Sequence, residues 1–411
     1  MEFSVILLPA ALAVGIYMAW SIGANDVANA MGTSVGTGAI TLRQAVLIAA
    51  VFEFIGALFV GARVTDTVRG GILEAEPFLR HPEALVRGMF AALVGAALWL
   101  HVASYFGLPV STTHSIVGAI IGFGVLGSGF GTIRYAVLGR IVGSWFLSPF
   151  MGGLIAFGMF SYVRRTILTV ADARGAMERK SRYLVGLVFF ILTLSIIYKG
   201  LKNWKLDLPV WEALGVALLT ALVLGTLGDR IIRSHLVRDV EGAAYPESVF
   251  RYLQILTAAY VAFAHGANDV ANAIGPLAVV VAGIKGAVVS LKVPVPPWLL
   301  ALGGLGIVVG VVTFGRRVME TIGKNITDMT PSSGFSAEFG AATTVLVFSK
   351  LGLPISTTHT LVGAVIGVGL ARGMSALNLR MIWTILQSWV ATIPIAAAAA
   401  IVVDLLLRLV F

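Results

Sequence analysis

The chain predicts an all-α polytopic membrane protein built from two repeats. Its 411 residues are 58% hydrophobic and only 12% charged, with a mean hydropathy of +0.94; a soluble domain carries about 25% charged residues. Many apolar stretches run for roughly 15–20 residues, near the length that crosses a ~30 Å hydrocarbon core. Two polar motifs each occur twice, at matching places in the two halves.

Taken in order, membrane segments fall at residues 4–24, 42–61, 84–106, 133–160, 183–198, 210–227, 252–267, 298–314, 335–350 and 379–408. The first, within MEFSVILLPAALAVGIYMAW, has no basic flank and no small-residue cleavage site, so it reads as a membrane helix and not as a removed signal. Shorter apolar pieces lie near 28–40, 110–127, 271–284 and 355–370, each beginning beside Gly, Pro, Asn or Thr. About 15 residues is short for a crossing, so these read as half-helices or re-entrant hairpins. Roughly ten to fourteen segments follow.

The net charge of +9 fits Lys and Arg gathered in cytoplasmic loops and not a nucleic-acid partner. The most basic stretch, RRTILTVADARGAMERKSR at 164–182, sets six Lys/Arg against Asp172 and Glu178. It reads as a solvated cytoplasmic loop. The absence of cysteine excludes disulfides and thiolate metal sites. The 47 glycines suit close packing of membrane helices.

GANDVANA stands at 23–30 and at 266–273; PVSTTH at 109–114 is answered by PISTTH at 354–359. Weaker echoes keep the order: GARVTDT at 61–67 with GRRVMET at 315–321, and GSW at 143–145 with QSW at 387–389. The chain therefore divides into a first transmembrane repeat, 1–163, a connecting region with the basic loop and two helices, 164–250, and a second repeat, 251–411. Transporters are often built from such repeats, with the site near the midplane where broken helices meet.

Asp26 and Asp269 each follow a long apolar run. A carboxylate at membrane depth costs about 2.5–3.5 kcal/mol or more, so it persists beside a cation, a partner or water. Asn25 and Asn29 share a helix face, as do Asn268 and Asn272; Asp26 converges with its neighbours if the helix unwinds near Gly23. Carboxylates and amide carbonyls offer hard cations only oxygen, while the amide N–H groups suit an anion. Helix packing and a proton-relay carboxylate are the competing readings.

The second motif opens with a chain break at Gly-Leu-Pro and closes with an apolar helical pattern. Ser and Thr are good helix N-caps, and a helix start leaves four N–H groups without intrahelical partners. Two such starts facing each other would grip a tetrahedral oxyanion through Ser111, Thr112, Thr113, Ser356, Thr357 and Thr358. His114 and His359 stand at equivalent positions and read as supporting hydrogen-bonding groups. Adjacent Thr and His do not make a nucleophile–base pair, so no hydrolase follows.

Glu53 and Glu338 are lone carboxylates in apolar stretches, with no acidic counterpart in the other half. They are candidates for a third cation, a proton or a gate. Pairing with a basic residue such as Arg134, Arg140 or Lys350 is the plainer alternative.

GANDVANA at 23–30 and 266–273 with PVSTTH and PISTTH resembles the inorganic phosphate transporter family, the sodium–phosphate symporter group of solute carriers and its bacterial and plant relatives. The likeness spans both halves. It implies secondary active import of inorganic phosphate, inverted-topology repeats, about twelve transmembrane helices and a homodimer in the cell inner membrane, with no enzymatic activity and no cofactor beyond the coupling ion. It also implies that phosphate is held by Asn25, Asn268 and the Ser-Thr-Thr triplets, and Na⁺ by Asn25, Asp26, Asn29, Asn268, Asp269 and Asn272. Glu53 and Glu338 are similar to family glutamates linked to transport. The Asn-Asp-Val-Ala-Asn-Ala form resembles sodium-driven members, with H⁺ coupling, or sulfate as cargo, as the alternatives. No long central hydrophilic loop like that of animal members is present, which fits a bacterial or archaeal chain.

Overall fold

In hydrocarbon no water can serve an open N–H or C=O, so a crossing segment must close its hydrogen bonds within itself. A computed structural model of the chain describes residues 2–61, 72–74, 76–80, 82–200, 208–237, 240, 242, 244–285, 295–321, 326–350 and 355–409. Among these residues the fold is helical, with no strand beyond two isolated bridges.

The first half holds α1 (Glu2–Gly36), α2 (Leu42–Val60), α3 (Pro82–Tyr105), α4 (Thr112–Ser128) and α5 (Tyr135–Val163). Two helices connect the halves, α6 (Ala173–Ser195) and α7 (Val210–Ile231). The second half holds α8 (Ala244–Ile284), α9 (Pro297–Phe314), α10 (Pro331–Lys350), α11 (Thr357–Arg372) and α12 (Leu379–Arg408). Among the described residues nine helices are long and apolar enough to cross a membrane. The other three are the half-length α4 and α11, of 17 and 16 residues, and the more polar, buried α10.

Three local expectations change. The pieces at 28–40 and 271–284 are not separate: α1 and α8 run unbroken through both GANDVANA copies, with no unwinding at Gly23. Asn breaks helices when its side chain competes for nearby backbone; here Asn25 is bonded to another helix and the loop after it, and Asn29 and Asn272 reach other helices. The basic stretch 164–182 is not a free loop either. Residues 164–168 continue α5 as a π-type turn, and Asp172 caps α6 by accepting from the Gly175 N–H at 2.8 Å. Pro354 and most of the GARVTDT echo lie outside the described residues.

The helix pairings come in mirrored sets. α1 packs on α9 as α8 packs on α2; α5 packs on α11 as α12 packs on α4; α5 meets α10 as α12 meets α3. At the centre α1 and α8 pack on each other. Even the bridges match: Leu73 with Ile133, and Thr327 with Leu377. Close approach explains the motif glycines. A Cβ on Gly23 would collide with the backbone of Ile307, and a Cβ on Gly266 with the backbone of Glu53. α8 is the hub, with 83% of its span window buried; α7 is peripheral, with 17% buried.

Candidate functional site

The half-helices α4 and α11 begin alike. Ser111 and Ser356 are N-caps, accepting from the backbone N–H of His114 and of His359, both at 3.2 Å. The caps leave Thr112, Thr113, Thr357 and Thr358 on the first turns, where helix N–H groups lack intrahelical partners. Thr112, Thr113 and Thr358 then meet the GANDVANA copy of the other half across the centre of the molecule, while Thr357 meets the copy of its own half.

Asn29 of the first GANDVANA donates to Thr358 Oγ1 at 2.8 Å, and Thr358 donates to Asp26 Oδ1 at 3.3 Å. Asn272 of the second copy donates to Thr112 Oγ1 at 3.3 Å and to Thr113 Oγ1 at 3.5 Å. Each Asn also holds the Asp three residues before it, at 3.1 and 3.2 Å. Thr357 donates to Asp269 Oδ2 at 3.2 Å. Asp26 and Asp269 therefore meet on unbroken helices, each beside a half-helix start. Helix N-termini favour anions, while buried carboxylates favour cations. The place holds both kinds of donor set side by side.

Asn25 and Asn268 sit differently. Asn25 uses both ends of its amide as a brace: Nδ2 donates to Ser104 Oγ at 3.0 Å and Leu108 O at 2.9 Å, and Oδ1 accepts from the Val110 N–H at 3.2 Å. It thus positions the chain that enters α4. Asn268 is half-buried and donates to Asp269 at 3.1 Å.

His265, one residue before the second GANDVANA, joins the site without having been singled out by the sequence. Its Nε2 lies 2.9 Å from Asp269 Oδ2 and 3.5 Å from Asp26 Oδ2, and its Nδ1 lies 3.2 Å from Glu53 Oε1. All four side chains are buried. Asp26, His265 and Asp269 present ligand atoms within 4.8 Å of one another, close enough to share one ion. The signal was present: His265 is one of only six histidines and abuts a repeated motif. It was masked because the first copy has Ile22 in that place.

Glu338 sits in a second buried pocket. Its Oε1 accepts from Thr33 at 2.6 Å, Ser34 at 2.8 Å and Gln254 at 3.2 Å, and its Oε2 accepts from Thr257. Neither glutamate takes Arg134 or Arg140 as partner: Arg134 pairs with Glu74 at 3.6 Å, and Arg140 is exposed. The side chain of Lys350 lies outside the described residues.

His114 and His359 meet edge to face at 4.3 Å, each against a tryptophan at 3.6 Å: Trp145 on His114, and Trp389 on His359. These are the tryptophans of the GSW and QSW echoes. Trp389 Nε1 also donates to Pro109 O at 3.0 Å, and His359 Nδ1 lies 3.3 Å from Trp145 O. The four rings tie the two half-helix starts together from behind.

Comparison with known proteins identifies the family. The model of the phosphate transporter family matches residues 22–400. A relative in Pyrococcus horikoshii that bears the name of a phosphate permease is 47% identical over 389 residues, 95% of each chain. Inorganic phosphate transporter 2-1 of the Arabidopsis thaliana chloroplast is 42% identical over 426 residues, 96% of this chain and 71% of that one. A solved structure described as the sodium-dependent phosphate transporter shares 41% identity and superposes with a TM-score of 0.90 over 99% of this chain and 100% of that one. By its family model, its relatives and its fold, this chain belongs to the phosphate transporter family and is a multi-pass membrane transporter of phosphate, not an enzyme.

Proposed function

We propose that the chain imports inorganic phosphate by cotransport with Na⁺, phosphate lying between the starts of α4 and α11 and Na⁺ beside Asp26 and Asp269. The observation that carries this reading is the crossed bonding of Asn29 to Thr358 and of Asn272 to Thr112. It puts two anion-seeking helix starts and two cation-seeking carboxylates within one buried space. Glu53, Asp26 and Asp269 carry three formal negative charges when ionised; a charged His265 offsets only one. Buried charge without a counter-ion is costly, so cations complete the site. The name of the solved neighbour supports Na⁺ as that cation.

Phosphate near neutral pH keeps a P–OH, which an Asp or Asn oxygen accepts; fully deprotonated sulfate meets only repulsion there. The occupied site then opens to the other side by movement of the halves 1–163 and 251–411 against each other, as inverted repeats joined through 164–250. The mirrored helix pairings support that reading. By the family resemblance the working form is a homodimer in the cell inner membrane. Competition uptake tests the cargo: excess sulfate leaves labelled phosphate uptake intact, whereas a matching block by sulfate would make the cargo a general oxyanion.

One observation favours a second reading, coupling to H⁺. His265 touches three carboxylates within 3.5 Å and would pass a proton among them. His265→Gln separates the two: Na⁺-driven uptake loses rate but keeps its ion dependence, while proton-driven uptake loses its coupling.

A further inference from the structure

The basic stretch that begins the connecting region has no part in the site above. Arg174, Arg179, Lys180 and Arg182 on α6 face Arg230 on α7 and Arg233 just beyond it, across a cavity of ≈ 1490 Å³ that also reaches the start of α8. Among the described residues only two acids line the cavity, Glu178 and Asp229. Both are already taken. Arg233 lies 3.4 Å from Glu178 and 3.6 Å from Asp229, and Arg174 lies 3.1 Å from Glu178. Arg182 and Arg230 are exposed, and among the described residues neither is in an ion pair. Arg182 instead donates to the Tyr183 hydroxyl at 2.7 Å and lies 4.6 Å over that ring.

The other wall is apolar. Val223, Leu227 and Arg230 share one face of α7, since spacings of four and three return to the same side of a helix. Val223 and Leu227 are exposed, on the least buried of the candidate spans. The cavity thus has a cationic end at the membrane boundary and an apolar wall that runs toward the hydrocarbon. A free anion would use only the first feature; an amphiphile uses both. The positive-inside rule puts this end in the cytoplasm, facing the leaflet whose anionic lipids attract Lys and Arg.

We propose that the α6–α7 groove is a binding site for an anionic phospholipid, its headgroup phosphate on Arg182 and Arg230 and an acyl chain along Val223 and Leu227. The lipid thereby fastens the hairpin that joins the two halves.

The test uses the full chain purified into nanodiscs of phosphatidylglycerol and phosphatidylcholine in equal parts, with retained lipid counted by native mass spectrometry. Wild type retains phosphatidylglycerol preferentially. Arg182→Gln/Arg230→Gln weakens that preference about five-fold per arginine. Val223→Asn/Leu227→Asn lowers retention with the arginines intact, and an unchanged melting curve in phosphatidylcholine alone shows that each variant is folded. Excess inorganic phosphate does not displace the lipid. Equal retention of both lipids by wild type, an unchanged preference in the arginine variant, displacement by inorganic phosphate, or cross-linking of the groove to a second copy in place of lipid would each overturn the proposal.

Discussion

His265 and Glu53 meet at 3.2 Å in the centre of the molecule, and their mirror positions are both isoleucine. Ile22 stands before the first GANDVANA as His265 stands before the second. Ile307 meets Gly23 as Glu53 meets Gly266. Both isoleucines are fully buried in one apolar cluster. The halves share an architecture, but at this point one carries a histidine beside a carboxylate and the other carries apolar packing.

A symmetrised variant follows. His265→Ile leaves three carboxylates buried together, and Glu53→Ile leaves the histidine with one partner fewer; breaking a buried pair costs about 3–5 kcal/mol. Glu53→Ile/His265→Ile copies the apolar mate and should be more stable than the His265→Ile single variant while transporting nothing. Thermal melting in detergent and phosphate uptake check both parts. Additive losses in the double variant would show that the two side chains do not act as a pair.

The pocket around Glu338 gives a second asymmetry. The repeat spacing places Leu93, Ala11 and Leu277 opposite Glu338, Gln254 and Ser34, and those three are buried together. Glu338→Leu would strand four donors: Thr33, Ser34, Gln254 and Thr257. Each orphaned buried donor costs about 1–3 kcal/mol, so the melting temperature falls sharply. Glu338→Gln keeps the shape and an acceptor oxygen, and falls less.

Much of this site was legible in the sequence because its motifs come twice. A repeated Asp in an apolar run, or a repeated Ser-Thr-Thr-His after a chain break, stands out from any single polar residue. What was not legible is which copy touches which. Spacing along a helix says which residues share a face; it says nothing about the helix across the gap. So the crossed bonds of Asn29 to Thr358 and Asn272 to Thr112 needed the fold. Single features were hidden for the opposite reason. His265, Gln254 and the hydroxyls of Thr33 and Ser34 have apolar counterparts in the other half, so the repeat drew attention away from them. The unbroken course of α1 and α8 was missed because partners for their asparagines come from elsewhere in the chain.

The crossed contacts themselves can be tested. Thr358→Val removes a hydroxyl that accepts from Asn29 and donates to Asp26. A hydrogen bond to a charged group contributes about 1.5–3 kcal/mol, so the KM for phosphate or for Na⁺ rises about ten-fold or more. Thr358→Ser restores most of the loss. Equal kinetics for Val and wild type would remove Thr358 from the site.

Glycine variants test the packing that brings the charges together. Gly266→Ala drives a Cβ into the backbone of Glu53, pushing α2 off α8. Yield and uptake both collapse. Gly139→Ala, on α5, meets nothing within 4 Å and leaves uptake unchanged, with stability equal or raised by up to about 1 kcal/mol.

The most direct measurement is labelled phosphate uptake into proteoliposomes under an inward Na⁺ gradient, an inward proton gradient or neither, for wild type, Asp26→Asn and Asp269→Asn. The account predicts uphill uptake by wild type with Na⁺ alone and loss of that drive in both variants. Uphill uptake with protons alone, or full Na⁺-driven uptake in both variants, would contradict it.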